Sequence, residues 1–326
     1  MKVNYKMITL QKKDQYFKIL NLSDTQLSNE EWSKDAANIL TDTVKYLVKE
    51  TKPDLITVSG DLAWAGEFVS YTNLAQLLDS FDIPWAPVFG NHDNQGGEEK
   101  LSKVVEIFKN SKNCIFECGD PQYGCGNYVI GIEENGKLIH GIIMMDSHDR
   151  KNLVKENGET EEHWGELYSE QFGWYANEVD NLSRLGAKES SIIMHIPIYT
   201  YREAIAAALK KDIDHSKIPC GKGEQTDCWN EGYEDSVGVL YEGICSYPVD
   251  NGFFDLILEK GNTKTLLCGH DHVNNICVTY KGVRFIYSMK TGMGCYWNEK
   301  INGGTLLSVD ANGKMTEEHY YFPIVK

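Results

Sequence analysis

The sequence predicts an α/β fold of two packed mixed β-sheets flanked by helices, and three observations carry that prediction. Five short apolar runs of strand length each end in Asp, Asn or His. Stretches of helical periodicity separate the early runs, as parallel crossovers require. The 326-residue chain shows no internal repeat, low-complexity tract or linker, and with 41% hydrophobic and 25% charged residues it can fill an ordinary globular core. One domain over residues 1–326 is expected, with a long irregular insertion at about 199–250.

Residues 1–15 are polar and read as a loose arm or a minor strand. Residues 16–23 are the first strand. Over residues 31–50, Ala36, Ile39, Leu40, Thr43, Val44, Leu47 and Val48 fall at helical spacing, and Lys52-Pro53 ends that helix. A strand at 55–59 follows. Leu74, Leu77, Leu78 and Phe81 mark a second helix that stops before Pro84. The apolar run 83–89 is a buried strand, and 98–110 is a third helix with Leu101, Val104, Val105 and Phe108 on one face. Residues 128–132 and 138–145 read as antiparallel strands around a turn at Glu134-Asn135-Gly136. A helix is expected over 167–185, its Trp174 and Tyr175 facing core, then a strand over 191–196. Residues 199–250 are the least regular part: a short helix at 204–209, then a stretch rich in Gly, Cys, Asp and Glu. There Trp229, Tyr233 and Tyr241 either contact a ligand or cover the sheet. A helix at 253–259, a strand at 263–268 and short strands at 276–280, 283–287, 305–309 and 319–323 complete the chain.

Composition narrows the function classes. The formal net charge is −16, with no Lys/Arg cluster; nucleic-acid binders show a basic patch, so none is expected as a partner. An acidic chain that binds an anion would need positive charge from elsewhere, and bound divalent metals can supply it. No apolar run approaches the ~20 residues of a membrane span. The segment Met1-Lys2-Val3-Asn4-Tyr5-Lys6 lacks the apolar stretch of a signal peptide, which favours a cytoplasmic protein; secretion is the alternative if a leader has been removed. Nine cysteines are present. Cys114, Cys118 and Cys125 lie close in sequence, as do Cys220, Cys228 and Cys245. Their spacings match no standard zinc pattern, and reduced, partly buried thiols are expected.

The chemistry gathers at the ends of the five apolar runs. These ends read Leu22-Ser23-Asp24-Thr25-Gln26, Ser59-Gly60-Asp61, Phe89-Gly90-Asn91-His92-Asp93, Met194-His195 and Gly269-His270-Asp271-His272. In open α/β sheets ligands bind beyond the carboxyl ends of the strands, so five such ends can share one rim. Asp24 and Gln26 are two apart, and in extended backbone both side chains would reach one ion. His148, after Asp146-Ser147, is read as loop polarity rather than a ligand.

This ordered set resembles the calcineurin-like metallophosphoesterase superfamily from about Lys18 to Val309. The stretches Asn251-Gly252-Phe253-Phe254 and Gly269-His270-Asp271-His272-Val273-Asn274-Asn275 resemble its purple-acid-phosphatase-related branch. The resemblance implies a metallophosphoesterase-type α/β/β/α sandwich and a dinuclear centre of divalent ions (Mn, Fe or Zn). It implies Asp61 as the bridging carboxylate, Asp24 and His272 on the first ion, and Asn91, His195 and His270 on the second. It also implies that Asn91, His92 and His195 contact the substrate phosphate, and that His92 protonates the leaving oxygen, a task for an imidazole near its working pH. Asp93 either orients His92 or shapes the turn. Gln26 stands where the family has His. Trp64 stands where the purple branch often has a ligating Tyr, so no iron–tyrosinate site is expected. Gln26 binds metal through its amide oxygen or hydrogen-bonds a metal-bound water; with fewer nitrogen ligands the first site shifts toward ions that accept oxygen.

The function expected is a metal-dependent phosphatase or phosphodiesterase. The resemblance implies attack by a hydroxide bridging two ions, with no covalent enzyme intermediate. The substrate expected is a small-molecule or protein phosphoester. The alternative is a non-catalytic metal-binding protein of this fold with an impaired first site. No Gly-x-Ser-x-Gly elbow and no P-loop signature is present. Monoester or diester preference and oligomeric state are not written in the sequence.

Overall fold

The computed structural model describes residues 7–211, 213–214 and 227–322. One sheet runs in the order β1 (Ile8–Gln11), β5 (Tyr128–Glu134), β6 (Lys137–Met144), β9 (Glu189–Ile193), β10 (Thr263–Cys268), β12 (Val283–Tyr287) and β11 (Cys277–Tyr280). The other runs β14 (Met315–Tyr321), β13 (Gly303–Val309), β2 (Phe17–Leu22), β3 (Leu55–Ser59) and β4 (Trp85–Val88). Both are mixed, as expected. β2, β3 and β4 are parallel, and β13 and β14 add antiparallel. β6, β9, β10 and β12 are parallel, with β5 and β11 antiparallel outside them.

Side-chain alternation explains why the central strands are apolar throughout. Ile142, Met144, Ile193, Leu267 and Ile286 face the core shared with the five-stranded sheet, while Ile143, Met145, Ile192, Leu266 and Phe285 face the opposite core. Strands buried on both faces read as continuous hydrophobic runs. Helix α1 (Asp35–Thr51) covers β2 and β13, and α2 (Phe68–Asp79) packs on α4 (Gly97–Asn110). The helix α5 (Ser169–Leu185) lies on β6 and β9, α6 (Thr200–Ala208) on β11, and α7 (Phe253–Lys260) on β10. This is the layered sandwich that the sequence predicts.

The differences are local. The helix expected from residue 31 is interrupted: Glu31–Ser33 forms a 3₁₀ turn, Lys34 is extended, and the α-helix starts at Asp35. Residues 91–94 form one helical turn, α3 (Asn91–Asn94), directly after β4. A hairpin absent from the sequence reading, β7 (Arg150–Val154) with β8 (Thr160–Trp164), stands apart from both sheets. Lys155 N–H bonds Glu159 O and Gly158 N–H bonds Lys155 O, so the loop has three residues, with Gly158 at φ 85° in the left-handed position such loops favour. Within the irregular segment, Trp229 is buried in the core beside Leu240 and Val239, so it covers the sheet. Cys220 and Pro323 lie outside the described residues. Cys114, Cys118, Cys125, Cys245, Cys268, Cys277 and Cys295 carry free thiols.

One polar group locks the sheets together beneath the rim. Asn21, fully buried, donates to Ser59 Oγ at 2.9 Å and to Ser288 Oγ at 2.7 Å, and accepts from Thr57 Oγ1 at 2.8 Å. Truncation would remove all three bonds and open a buried polar gap; Ser59 Oγ keeps Leu22 O and Ser23 Oγ, Ser288 Oγ keeps Thr305 Oγ1, and Thr57 Oγ1 loses its acceptor. Asn21→Ala should therefore lower stability by about 2–4 kcal/mol, read as a fall in the urea midpoint with unchanged m. An unchanged midpoint would show that water replaces the side chain.

Candidate metal centre

The parallel strands β2, β3 and β4 of one sheet and β9 and β10 of the other deliver their carboxyl ends to one place. Three tight loops form there because backbone must turn sharply under side chains that pack at contact distance. Gly60 has φ 88°, and a Cβ on it would lie 2.5 Å from the His195 ring. At Gly90 a Cβ would lie 2.2 Å from Asp61 Oδ1. Glycine is the residue that permits both approaches. The loops are cross-linked by Asp24 N–H to Gly60 O at 3.1 Å and Gln26 N–H to Asp61 O at 3.1 Å.

Four donor atoms crowd one point. His195 Nε2 lies 3.0 Å from Asn91 Oδ1, 3.2 Å from His270 Nδ1 and 3.3 Å from Asp61 Oδ1. A second group adjoins it: Asp24, Asp61 and His272 offer ligand atoms all within 4.8 Å of one another, with His272 Nε2 at 3.4 Å from Asp24 Oδ1. Two of the three imidazoles are aimed from behind. The Nδ1–H tautomer of His195 donates to Ser59 O at 2.8 Å, and that of His272 donates to Tyr296 O at 2.8 Å, leaving both Nε2 lone pairs toward the group. Trp164 packs edge-on against His270, and Tyr296 stacks on His272.

Buried charge dominates the electrostatics. Burial opposes ionisation of Asp61, yet His195 holds its carboxyl below the usual range. Burial works against a charged His195, but Asp61 and Asp24 outweigh it and lift the imidazole to about 10. Its neighbour His270 is pushed down to about 3 by burial and by His195. Lys290, almost wholly buried, donates to Asp24 O; burial lowers it to about 8 against the pull of Asp24. Sequence reading passed over this lysine, since one Lys after a strand carries no pattern.

Two expectations need correction. Asp24 and Gln26 are not extended: their φ values are 53° and 35°. The backbone is left-handed there because both residues fold back over Gly60-Asp61. Gln26 accordingly turns to its neighbour, donating from Nε2 to Asp61 Oδ2 at 2.6 Å, while its Oε1 is buried with no partner. Asp93 does not touch His92. Its carboxylate accepts from Gly90 N at 2.7 Å, Leu62 N at 3.1 Å and Tyr71 OH at 2.7 Å, because the helical turn α3 points it back under the Asp61 loop. Burial and the nearby Asp61 raise it to about 7. His92 is instead held by Gln95 Oε1, 2.9 Å from Nδ1, and by the Trp64 ring at 4.2 Å. Trp64 Nε1 donates to Gln26 O at 3.0 Å, so the indole braces this loop. His148 faces Gln171 Oε1 at 3.0 Å and stacks on Tyr168, away from the group. Asp271 accepts from Tyr287 OH at 2.6 Å and Cys245 N at 3.1 Å, and so anchors the turn between His270 and His272.

The donor set fits divalent ions. Asp24 Oδ1, Gln26 Oε1 and His270 Nε2 are buried with no hydrogen-bond partner, as is Asn91 Nδ2. The two orphaned oxygens, Asp24 Oδ1 and Gln26 Oε1, are costly in a dry rim and are what a missing cation would satisfy; Asn91 Nδ2 is a donor and plays no part in that. Carboxylate, amide oxygen and imidazole are the donors such ions take. The carboxylate that fixes the Asp61 loop should then matter to ion affinity. Asp93→Ala should weaken binding of Mn or Zn about 10–100-fold, measured by competition with a chromophoric chelator; unchanged affinity would make Asp93 a turn residue only.

Comparisons with known proteins agree with this geometry. The model of the calcineurin-like phosphoesterase family matches residues 17–274. The chain is 25% identical over 280 residues to the Arabidopsis thaliana protein named probable inactive purple acid phosphatase 28, covering 78% of this chain and 62% of that one. It is 24% identical over 284 residues to phosphatase DCR2 of Saccharomyces cerevisiae, covering 80% of this chain and 45% of that one. This chain therefore spans less than two thirds of either relative. In fold it is similar to a dimetal phosphatase from Danio rerio, with a TM-score of 0.53 at 12% identity over 94% of this chain and 100% of that one. With the family model matched over most of its length, and the strand ends disposed as described, this chain belongs to the calcineurin-like phosphoesterase family.

Proposed function

We propose that this protein is a metal-dependent phosphoesterase, a phosphatase or phosphodiesterase with two divalent ions. The observation that carries the reading is the convergence of Asp24, Asp61, Asn91, His195, His270 and His272 from five strand ends, with buried donor atoms left unpartnered among them. Asp61 stands between the two groups and would serve both ions. Asp24 and His272 would hold one, with the Gln26 amide oxygen as the added neutral donor. Asn91, His195 and His270 would hold the other. Mn, Fe(II) or Zn each suits such a mixed set.

When bound, the two ions neutralise phosphate oxygens and acidify water toward pKa ~7. The chain's own groups do the rest. Asn91 and His195 line the place where the phosphate docks. His92, its side chain 23% exposed, presents Nε2 at 3.9 Å from Asp61 Oδ2. Because Gln95 accepts from Nδ1–H, the proton that the imidazolium gives up is the one on Nε2, and the leaving oxygen receives it. The substrate is a small-molecule or protein phosphoester. No described helix is long and apolar enough to cross a membrane.

A second reading has its own observation. Gln26 ties up Asp61 Oδ2, which weakens the first ion's claim on that oxygen, and an Arabidopsis relative carries the word inactive in its name. A metal-binding protein without turnover is the alternative. Aryl phosphates of graded leaving-group pKa separate the two. The metal-loaded protein should hydrolyse them, and His92→Ala should slow phenyl phosphate by about 10²–10⁴ but 2,4-dinitrophenyl phosphate far less. Equal slowing would remove the proton-donor role. No turnover with any of the three ions would favour the non-catalytic reading.

A further inference from the structure

The hairpin absent from the sequence reading brings a cation to the centre. Arg150 of β7 and Trp164 of β8 are cross-strand partners. The guanidinium carbon lies 3.7 Å from the centroid of the Trp164 ring. That ring meets His270 edge-on at 4.5 Å and 81°. Arg150 is therefore one aromatic ring removed from a candidate metal ligand.

Its donors are unspent. Stacking uses the face of a guanidinium and leaves five N–H groups in its plane. Among the described residues none of them makes a hydrogen bond, and the nearest carboxylate, Asp149 Oδ1, is 3.7 Å from Nε, beyond hydrogen-bond reach. The side chain is 34% exposed, so it is partly desolvated and held flat with open donors. Elsewhere arginines are committed: Arg284 bonds Glu317 and Asp235, and Arg202 bonds Ser246.

A cavity of about 850 Å³ lies beside Arg150, reaching Asn94 on one side and Tyr168 on another; Arg150 and Lys109 are its cations, against the carboxylates of Glu98, Glu106, Asp146 and Asp149. Asn94 belongs to the same helical turn as His92. Asn94 stands two residues from His92, which makes this cavity the candidate place for a leaving group protonated there.

We propose that Arg150 binds an oxyanion on the leaving-group side of the substrate, so that preferred esters carry a carboxylate or a second phosphate beyond the scissile one. The inference rests on the phosphoesterase reading for the ester itself. The Trp164 ring stands between the guanidinium and His270, so Arg150 serves the next group along the substrate rather than the phosphate on the ions.

Equilibrium binding tests this without turnover. Benzylphosphonate and its 4-carboxy and 4-phosphono derivatives are titrated calorimetrically into metal-loaded wild type, Arg150→Gln and Arg150→Lys. Wild type should bind at least one derivative roughly tenfold or more tightly than benzylphosphonate, and the stronger derivative names the oxyanion. Arg150→Gln should abolish the preference and leave benzylphosphonate within about threefold of wild type, and Arg150→Lys should keep part of the preference. A wild type without preference, a preference that survives Arg150→Gln, or equal loss of all three ligands would each overturn the proposal. If none of the ligands binds metal-loaded wild type, the phosphoesterase reading falls, and this inference with it.

Discussion

Two carboxylates buried side by side are the constraint on which the rest of this structure depends. Asp24 and Asp61 are each about as buried as a leucine in the core, and like charges in a dry site repel strongly. Such a pair persists only where positive charge is fixed around it. Without ions the protein supplies that charge itself, through Lys290 against the Asp24 backbone and a protonated His195 against Asp61; an ion at His195 Nε2 would take the place of that proton. Both are paired with a distorted acidity: His195 is lifted and Lys290 lowered. Divalent ions, as the family implies, would complete the charge balance and satisfy the orphaned oxygens at the same time.

The fold is arranged to hold this pair. Two parallel strand sets face each other across a shared core, and their carboxyl ends meet at one rim. Asn21 fastens the sheets one layer beneath, through Ser59 and Ser288. Asp93 fastens the loops one layer to the side, gripping the amides of Leu62 and Gly90. The result is a buried cradle with His92, its ring partly exposed, and the hairpin bearing Arg150 and Trp164 at its edge.

Much of this was legible in the sequence for a physical reason. A strand buried on both faces is apolar at every position, and its end is marked by the first polar residue, so Asp24, Asp61, Asn91, His195 and His270 announce themselves. Side-chain direction was less legible. Gln26 was expected to extend alongside Asp24, but left-handed backbone at both residues turned its amide onto Asp61. Asp93 was expected either to orient His92 or to shape the turn; adjacent residues on a helical turn point apart, and its carboxylate holds the amides of Gly90 and Leu62 instead. The hairpin did leave a signal in Asn157-Gly158. Arg150 and Trp164 are equidistant from Asn157 in sequence, so the turn alone pairs them. Lys290 left none: its role comes from burial against Asp24, residues distant in sequence.

The central claim is that the cradle takes two ions. The protein should be stripped with chelator, incubated in turn with Mn, Fe(II) or Zn, freed of excess and measured by elemental analysis against protein concentration. The account predicts two ions per chain with at least one of these metals, and loss of both to below one in Asp61→Asn, since that carboxylate serves both. One ion or none in wild type with every metal would contradict it.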